Sequence, residues 1–344
     1  MKLGRILVVI ISLLMFVACT KKKTNVSERF YFRTNGVDLA VQVDGNVASK
    51  TFILLLHGGP GGGASEYNSG YYSEKLEEEY AMIYVDQRGN GASQGNYNTS
   101  DLTLQQNSDD IYALVKFIKQ KYGTDISLFL LGHSWGGITS AHALTHTNIQ
   151  EELNGWIEVD GVFDFELNNK EEVKLFLEVG NNQVAKGEEV SFWNEVLTRV
   201  SQIDTNNISE DDISYLNSKG FEAENKITDI DKPEGEGARL TSYLSSPDFG
   251  LAIYMSNQGG NPILNGNSIE NPITNKLQNI NIPSQFLWGK YDLVVPPALA
   301  TVAYNKVGTS NKYLFLFEHS GHSPMSNEPE LFVSKVKDFV NSYK

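Results

Sequence analysis

Gly132-His133-Ser134-Trp135-Gly136 sets a serine between two glycines, each two residues away, in the pattern G-x-S-x-G. A serine on a tight strand-to-helix turn has its hydroxyl lifted clear of the backbone. The glycines are needed there because the chain folds back too closely for side chains. The apolar run Ile126–Leu131 before the motif and the helical stretch Gly136–Thr145 after it supply that setting. The same turn leaves the Trp135 N–H at a helix N-terminus, where it can stabilise a developing oxyanion. The chemistry implied is acyl transfer through Ser134.

A serine hydroxyl is a poor nucleophile until a base takes its proton, and a third group must hold the base. In turns of this kind the acid and the histidine follow the serine in that order. Glu318-His319-Ser320-Gly321-His322-Ser323-Pro324 carries two histidines near the C-terminus. His322 is the expected base, with Gly321 and Pro324 stiffening its loop; His319, beside the strand end, is the alternative. The acid is expected after the penultimate strand. Phe286-Leu287-Trp288-Gly289-Lys290-Tyr291-Asp292 supplies strand, glycine turn and Asp292, and Glu318 is the weaker rival. The second oxyanion donor is expected in His57-Gly58-Gly59-Pro60-Gly61-Gly62-Gly63. So many glycines raise the entropy lost on folding, which a close approach of backbone to a substrate carbonyl would justify. Gly59 is the expected donor and Gly58 the alternative.

The elements that must position these residues alternate along the chain. Arg29–Arg33 and Val37–Val43 read as strands joined by Asn35-Gly36, a dipeptide suited to a tight hairpin. Thr51–Leu56 and Ala81–Val85 read as strands buried on both faces. Helical patterns follow at Ser65–Glu79 and Leu102–Tyr122, the latter with Ile111, Leu114, Val115 and Ile118 on one face. From Phe163 to Asn281 the alternation stops. Lys170–Val179, Glu188–Ser201 and Glu210–Ser218 are helical, and Lys232–Asn267 is glycine-rich and irregular. Strand and helix then resume with Gln285–Trp288, a helix after Pro297, Lys312–Phe317 and Glu328–Tyr343. This predicts an α/β fold, a mostly parallel sheet with helices on both faces, split by a mainly helical insertion that acts as a cap. The expected organisation is a leader over residues 1–19, a tether over 20–27, the first part of the core over 28–162, the cap over 163–281 and the second part of the core over 282–344.

The leader follows from Lys2 and Arg5 ahead of the apolar run Ile6–Val17, which is short for a membrane span. It ends at Phe16-Val17-Ala18-Cys19, which resembles the lipobox of bacterial lipoproteins and marks Cys19, the single cysteine of the chain, for lipidation. That reading predicts an exported protein anchored to a bacterial cell-envelope membrane. Cleavage near Ala18 without a lipid is the alternative.

The 344 residues carry 28 Lys and Arg against 42 Asp and Glu, a formal net charge of -14. An acidic chain is poorly suited to nucleic acid, which needs clustered cations to displace counterions. No cofactor or metal is expected. The glycine loop lacks a Gly-Lys-Ser/Thr ending, and His142 and His146, read as helix-surface residues, have neither the glutamate nor the third ligand of a zinc helix.

Five motifs together resemble the proline iminopeptidase family of α/β-hydrolases: His57-Gly58-Gly59-Pro60-Gly61, Asp86-Gln87-Arg88-Gly89-Asn90-Gly91-Ala92-Ser93, Gly132–Gly137, Trp288–Asp292 and Gly321-His322-Ser323-Pro324. They follow the family's order and span Phe52 to Val340. The resemblance implies a serine hydrolase releasing N-terminal residues from small peptides or amides. It also implies that Asp86 and Arg88 buttress the oxyanion loop. Relatives hold the substrate ammonium with cap glutamates, for which Glu234 and Glu236 are the candidates here. Relatives with the same core also cleave esters and lactones, so a carboxylesterase or lactonase is the alternative, and a silent binding lipoprotein a third reading.

Overall fold

The computed structural model describes residues 25–95, 98–232 and 272–344. The first hairpin is β1 (Asn25–Thr34) and β2 (Val37–Asn46), antiparallel in register with Thr34 opposite Val37. Asn35 and Gly36 both take positive φ at its turn, 44° and 80°, as a two-residue hairpin that follows the strand twist requires. Strand β3 (Thr51–Leu56) follows, then helix α1 (Tyr71–Glu77), β4 (Ala81–Val85), the short β5 (Gln94–Gly95) and α2 (Leu104–Tyr122). Next come β6 (Ser127–His133), α3 (Trp135–His146) and β7 (Gly155–Val159).

Three helices stand between β7 and the next strand: α4 (Phe165–Lys186), α5 (Val190–Val200) and α6 (Glu210–Glu224). The chain closes with β8 (Ser284–Gly289), α7 (Ala298–Lys306), β9 (Lys312–Phe317), the single turn α8 (Pro324–Asn327) and α9 (Pro329–Tyr343). Most of the irregular segment expected at Lys232–Asn267 lies outside the described residues, as do Cys19, Glu234 and Glu236.

The strands form one sheet in the order β1-β2-β4-β3-β6-β7-β8-β9, with β5 on β2. From β4 to β9 every pairing is parallel. Strands β3, β4, β6, β7 and β8 are buried on both faces, save a partly exposed Ser127 at the start of β6, which is why they read as unbroken apolar runs. Apolar clusters fill both sides of the sheet. One gathers Phe52, Leu114, Ile118, Trp156 and Phe286; the other gathers Ile53, Tyr84, Phe129, Phe332 and Phe339. The inserted helices have a third cluster of their own, built on Phe176, Trp193, Val196, Leu216 and Ile227. Because all central strands are parallel, their carboxyl ends share one edge, and the loops leaving that edge carry the residues named above.

Candidate active site

Ser134 sits between β6 and α3 with φ 55° and ψ −118°, a conformation costing about 1–3 kcal/mol for a residue with a side chain. The surroundings leave it little choice. Its N–H donates to the Val159 carbonyl at 3.0 Å. A Cβ on Gly136 would come within 2.0 Å of the Leu56 carbonyl oxygen, and one on Gly132 within 2.4 Å of the Gly136 oxygen. Both glycines of the motif are therefore required by close backbone approach.

The expected base and acid arrive from the last two strands. His322 Nε2 lies 2.9 Å from Ser134 Oγ, and His322 Nδ1 lies 2.9 Å from Asp292 Oδ2. The carboxylate fixes the tautomer: Nδ1–H donates to Asp292, so Nε2 is free to accept the serine proton. Burial lowers the affinity of His322 for a proton, but the Asp292 charge and hydrogen bond outweigh it. The net shift is upward from the usual histidine value. Asp292 is fully buried, and its Oδ1 accepts the N–H groups of Val294 and Val295 at 2.9 and 2.7 Å. Trp288 Nε1 donates to the Val295 carbonyl and closes the acid loop. A Cβ on Gly289 would strike the Gly321 oxygen at 2.0 Å, so the glycine turn after β8 is what lets the acid and base loops touch.

The glycine loop after β3 supplies the remaining polar groups. Gly58 donates its N–H to the Tyr67 hydroxyl at 2.9 Å. Gly59, the expected donor, takes φ +134° in the same loop. The Trp135 N–H opens α3 and belongs to the first turn, which a helix leaves without internal acceptors. Together these groups can abstract a hydroxyl proton, hold the resulting imidazolium and receive negative charge on an acyl oxygen.

A family model described as "alpha/beta hydrolase fold" matches residues 51–195. Among curated proteins, a probable aminopeptidase of Bacillus subtilis is 23% identical over 307 residues, 86% of this chain and 91% of that protein. A proline iminopeptidase of Saccharolobus solfataricus is 25% identical over 320 residues, 91% of this chain and 92% of its own. Among solved structures, an esterase from a Rhodococcus species superposes with a TM-score of 0.58 at 19% identity, covering 93% of this chain and all (100%) of that one. The chain has the α/β-hydrolase fold and resembles the proline iminopeptidases.

Within this fold, the other expected residues divide. Asp86 buttresses the glycine loop as the resemblance implied: its two oxygens accept the N–H groups of Ala64 (2.6 Å) and Ala92 (2.7 Å). Arg88 forms a buried bidentate pair with Asp110 of α2 at 2.8 and 2.9 Å and donates to the Asn35 carbonyl, tying the first hairpin to α2. Its neighbours contact the glycine loop directly: Gln87 pairs with His57, and Asn90 Oδ1 accepts the Gly61 N–H. The rival Glu318 is exposed and pairs with Lys290, while His319 Nδ1 donates to the Asp229 carbonyl at 3.0 Å. His142 is not the surface residue expected. It is buried, stacked on His146 at 3.7 Å and bonded to Ser108 Oγ, because the small residues of α3 let that helix pack closely against α2. Burial first, then the His146 and Lys276 charges, bring it down to about 4. No cluster of three metal-ligating side chains occurs among the described residues.

Four residues beside the site had no signal in the sequence spacing. His133, the variable position before Ser134, bonds the His322 carbonyl through Nε2 at 2.8 Å and the Tyr67 hydroxyl through Nδ1 at 2.6 Å. A carbonyl only accepts, so Nε2 carries the proton and Tyr67 donates to Nδ1. One relay thus joins the glycine loop, the serine turn and the histidine loop. Glu224, the last residue of α6, accepts the N–H groups of His322 and Leu293, both at 2.9 Å. Burial first, then the neighbouring Asp292 charge, push its carboxyl up to about 8. Asp160, at the end of β7, accepts the Gly289 N–H at 2.9 Å. Lastly, Phe221 of α6 stands edge-on to His322, ring centroids 5.7 Å apart, and remains half exposed.

Proposed function

We propose that this hydrolase uses Ser134 as nucleophile, His322 as general base and Asp292 as the acid that orients it, on small peptide or amide substrates bearing a free amino terminus. The observation that carries the catalytic part is the pair of 2.9 Å contacts, Ser134 Oγ to His322 Nε2 and His322 Nδ1 to Asp292 Oδ2. In this mechanism Ser134 Oγ attacks the substrate carbonyl carbon while its proton passes to His322 Nε2. The carbonyl oxygen takes the negative charge and is held by the N–H groups of Gly59 and Trp135. His322 then gives its proton to the leaving amine as the carbon–nitrogen bond breaks, leaving an acyl group on Ser134. A water deprotonated by His322 attacks that ester and restores the serine. Since His322 must be neutral to accept a proton, its raised proton affinity puts the acid limb of activity above the ordinary histidine value.

Support for the aminopeptidase reading is the similarity to a probable aminopeptidase and a proline iminopeptidase over most of both chains. The helices α4 to α6 would act as a cap. Phe221 offers an apolar wall beside His322, and the acidic surroundings favour an ammonium over a carboxylate on the substrate. Glu234 and Glu236 are the proposed ammonium ligands. The esterase reading is favoured by the likeness to the Rhodococcus esterase. Chromogenic aminoacyl amides, proline among them, tested beside N-acylated counterparts and simple esters decide between the two. Faster hydrolysis of the unblocked amides is expected; equal rates, or activity confined to esters, would replace the aminopeptidase with an esterase. For the cell, we propose that a lipid on Cys19 anchors the domain to an envelope membrane. Cys19→Ser should then release it from the membrane fraction or block its maturation, and unchanged fractionation would reject the anchor.

A further inference from the structure

Asp160 is fully buried at the end of β7, one strand away from the loop that carries Asp292. Its backbone takes φ 45°, in the left-handed region that a residue with a side chain enters only at a cost, though aspartate is among those that tolerate it. Two hydrogen bonds hold it there: its N–H donates to the Leu287 carbonyl at 3.1 Å, and its Oδ1 accepts the Gly289 N–H at 2.9 Å. Its Oδ2 is buried and met by no N–H or O–H donor. The charged neighbour that acts most strongly on it is the Asp292 carboxyl, and the Gly289 N–H that Asp160 accepts opens the loop that carries Asp292.

Two carboxyls can share a hydrogen bond only if one of them carries a proton. Hydrogen-bond accounting says which. Asp292 accepts at both oxygens, from Val294, Val295 and the His322 Nδ1–H. Asp160 has one oxygen with no donor to satisfy it. We propose that Asp160 is a positioning residue of the active site, a neutral carboxylic acid whose Oδ2–H donates to Asp292 and holds it against His322. The inference rests on the reading of Ser134, His322 and Asp292 given above. Desolvation first, and then the Asp292 charge, move Asp160 well above the usual carboxylate range. Glu224, which faces both Asp160 and Asp292, acts on Asp160 in the same sense, and Glu172 of α4 faces Asp292; His322 acts in the opposite sense on Glu224. A proton on Asp160 leaves the single negative charge where His322 needs it, and fixes the Asp292 carboxyl plane from the side opposite the loop N–H groups.

The test uses the full chain and a fluorophosphonate probe, following the second-order labelling rate against pH, since the acid limb reports His322. The carboxamide introduced by Asp160→Asn retains a donor for Asp292 and an acceptor for Gly289, and asparagine tolerates the left-handed backbone. This variant should label within about threefold of wild type with its acid limb unmoved. Asp160→Gly relieves the backbone and removes the donor. It should label about tenfold more slowly or worse, with the limb displaced to higher pH because Asp292 then holds the His322 proton more tightly. A limb displaced to lower pH in Asp160→Asn would mean that a second negative charge had been removed, and would overturn the proposal. So would wild-type rate and limb in Asp160→Gly. If Asp160→Gly does not fold, as a thermal melt would show, the limb position of Asp160→Asn decides alone. Failure of wild-type protein to label at all would reject the serine mechanism itself, which separates that failure from this one.

Discussion

The loops at the carboxyl edge of the sheet and the three helices inserted between β7 and β8 are held by different kinds of contact. In the loops, backbone meets backbone: Gly136 against Leu56, Gly289 against Gly321, with Asp86, Asp292 and Glu224 each accepting two main-chain N–H groups. In the inserted helices, side chains meet side chains in an apolar cluster around Trp193 and Phe176. The first arrangement fixes atoms to fractions of an ångström, as a proton transfer demands. The second tolerates exchange of apolar residues of similar volume and can be reshaped around different substrates. The two meet at the acid and base loops. Leu293, next to Asp292, is buried in the helical cluster, and Glu224 at the end of α6 holds the N–H groups of Leu293 and His322. The inserted helices are thereby fastened to the loops that carry Asp292 and His322.

Substitution of the two neighbouring histidines should break this comparison most sharply. His322→Ala is expected to lower kcat by about a million-fold, the scale of losing a triad base. His319→Ala, whose imidazole bonds the Asp229 carbonyl, should stay within a few-fold of wild type. Reversed outcomes would keep the loop and change its histidine. A pair of glycines gives the next effect, read in thermal melts. Gly136→Ala should destabilise the protein by about 3 kcal/mol or more, because the added methyl meets a backbone carbonyl that cannot move. Gly187→Ala, at the C-cap of α4 with φ +80° and open space around it, should cost only about 1 kcal/mol and leave activity intact.

The smallest effect is in the pH dependence of stability. With its carboxyl raised to about 8, Glu224 binds a proton more tightly folded than unfolded. Its contribution is therefore largest below the unfolded value, near pH 4.5, and is lost as pH rises through about 8. Glu224→Gln should melt at lower temperature than wild type, by the loss of an acceptor for one main-chain N–H, and with a flatter decline between about pH 4.5 and 8. Parallel curves for the two proteins would show that the carboxyl does not titrate there.

The same contrast decides what the sequence made legible. The strands Thr51–Leu56, Ala81–Val85 and Lys312–Phe317 read off residue for residue, since burial on both faces, or a run of β-formers, leaves one interpretation. Ser134, Asp292 and His322 could be named because backbone constraint requires glycines at fixed offsets from each. His133, Tyr67, Asp160 and Glu224 could not. Their partners lie 66 to 189 positions away in sequence for His133 alone, and no spacing rule links a helix C-terminus to a loop across a fold. The same holds for Arg88, whose partner Asp110 is chosen by how the first hairpin packs on α2. Helix α4 runs seven residues beyond its expected end, to Lys186 rather than Val179; Gly180 suggests a stop, yet it is the close contact that admits Leu197 and Trp193.

The central claim is that one serine is activated by the His322–Asp292 pair. Treating wild-type, Ser134→Ala and His322→Ala proteins with a fluorophosphonate and measuring intact mass, followed by peptide mapping, tests it directly. A single adduct on Ser134 is expected in the wild-type protein and none in either variant. An adduct on another residue, or undiminished labelling in Ser134→Ala, would contradict it.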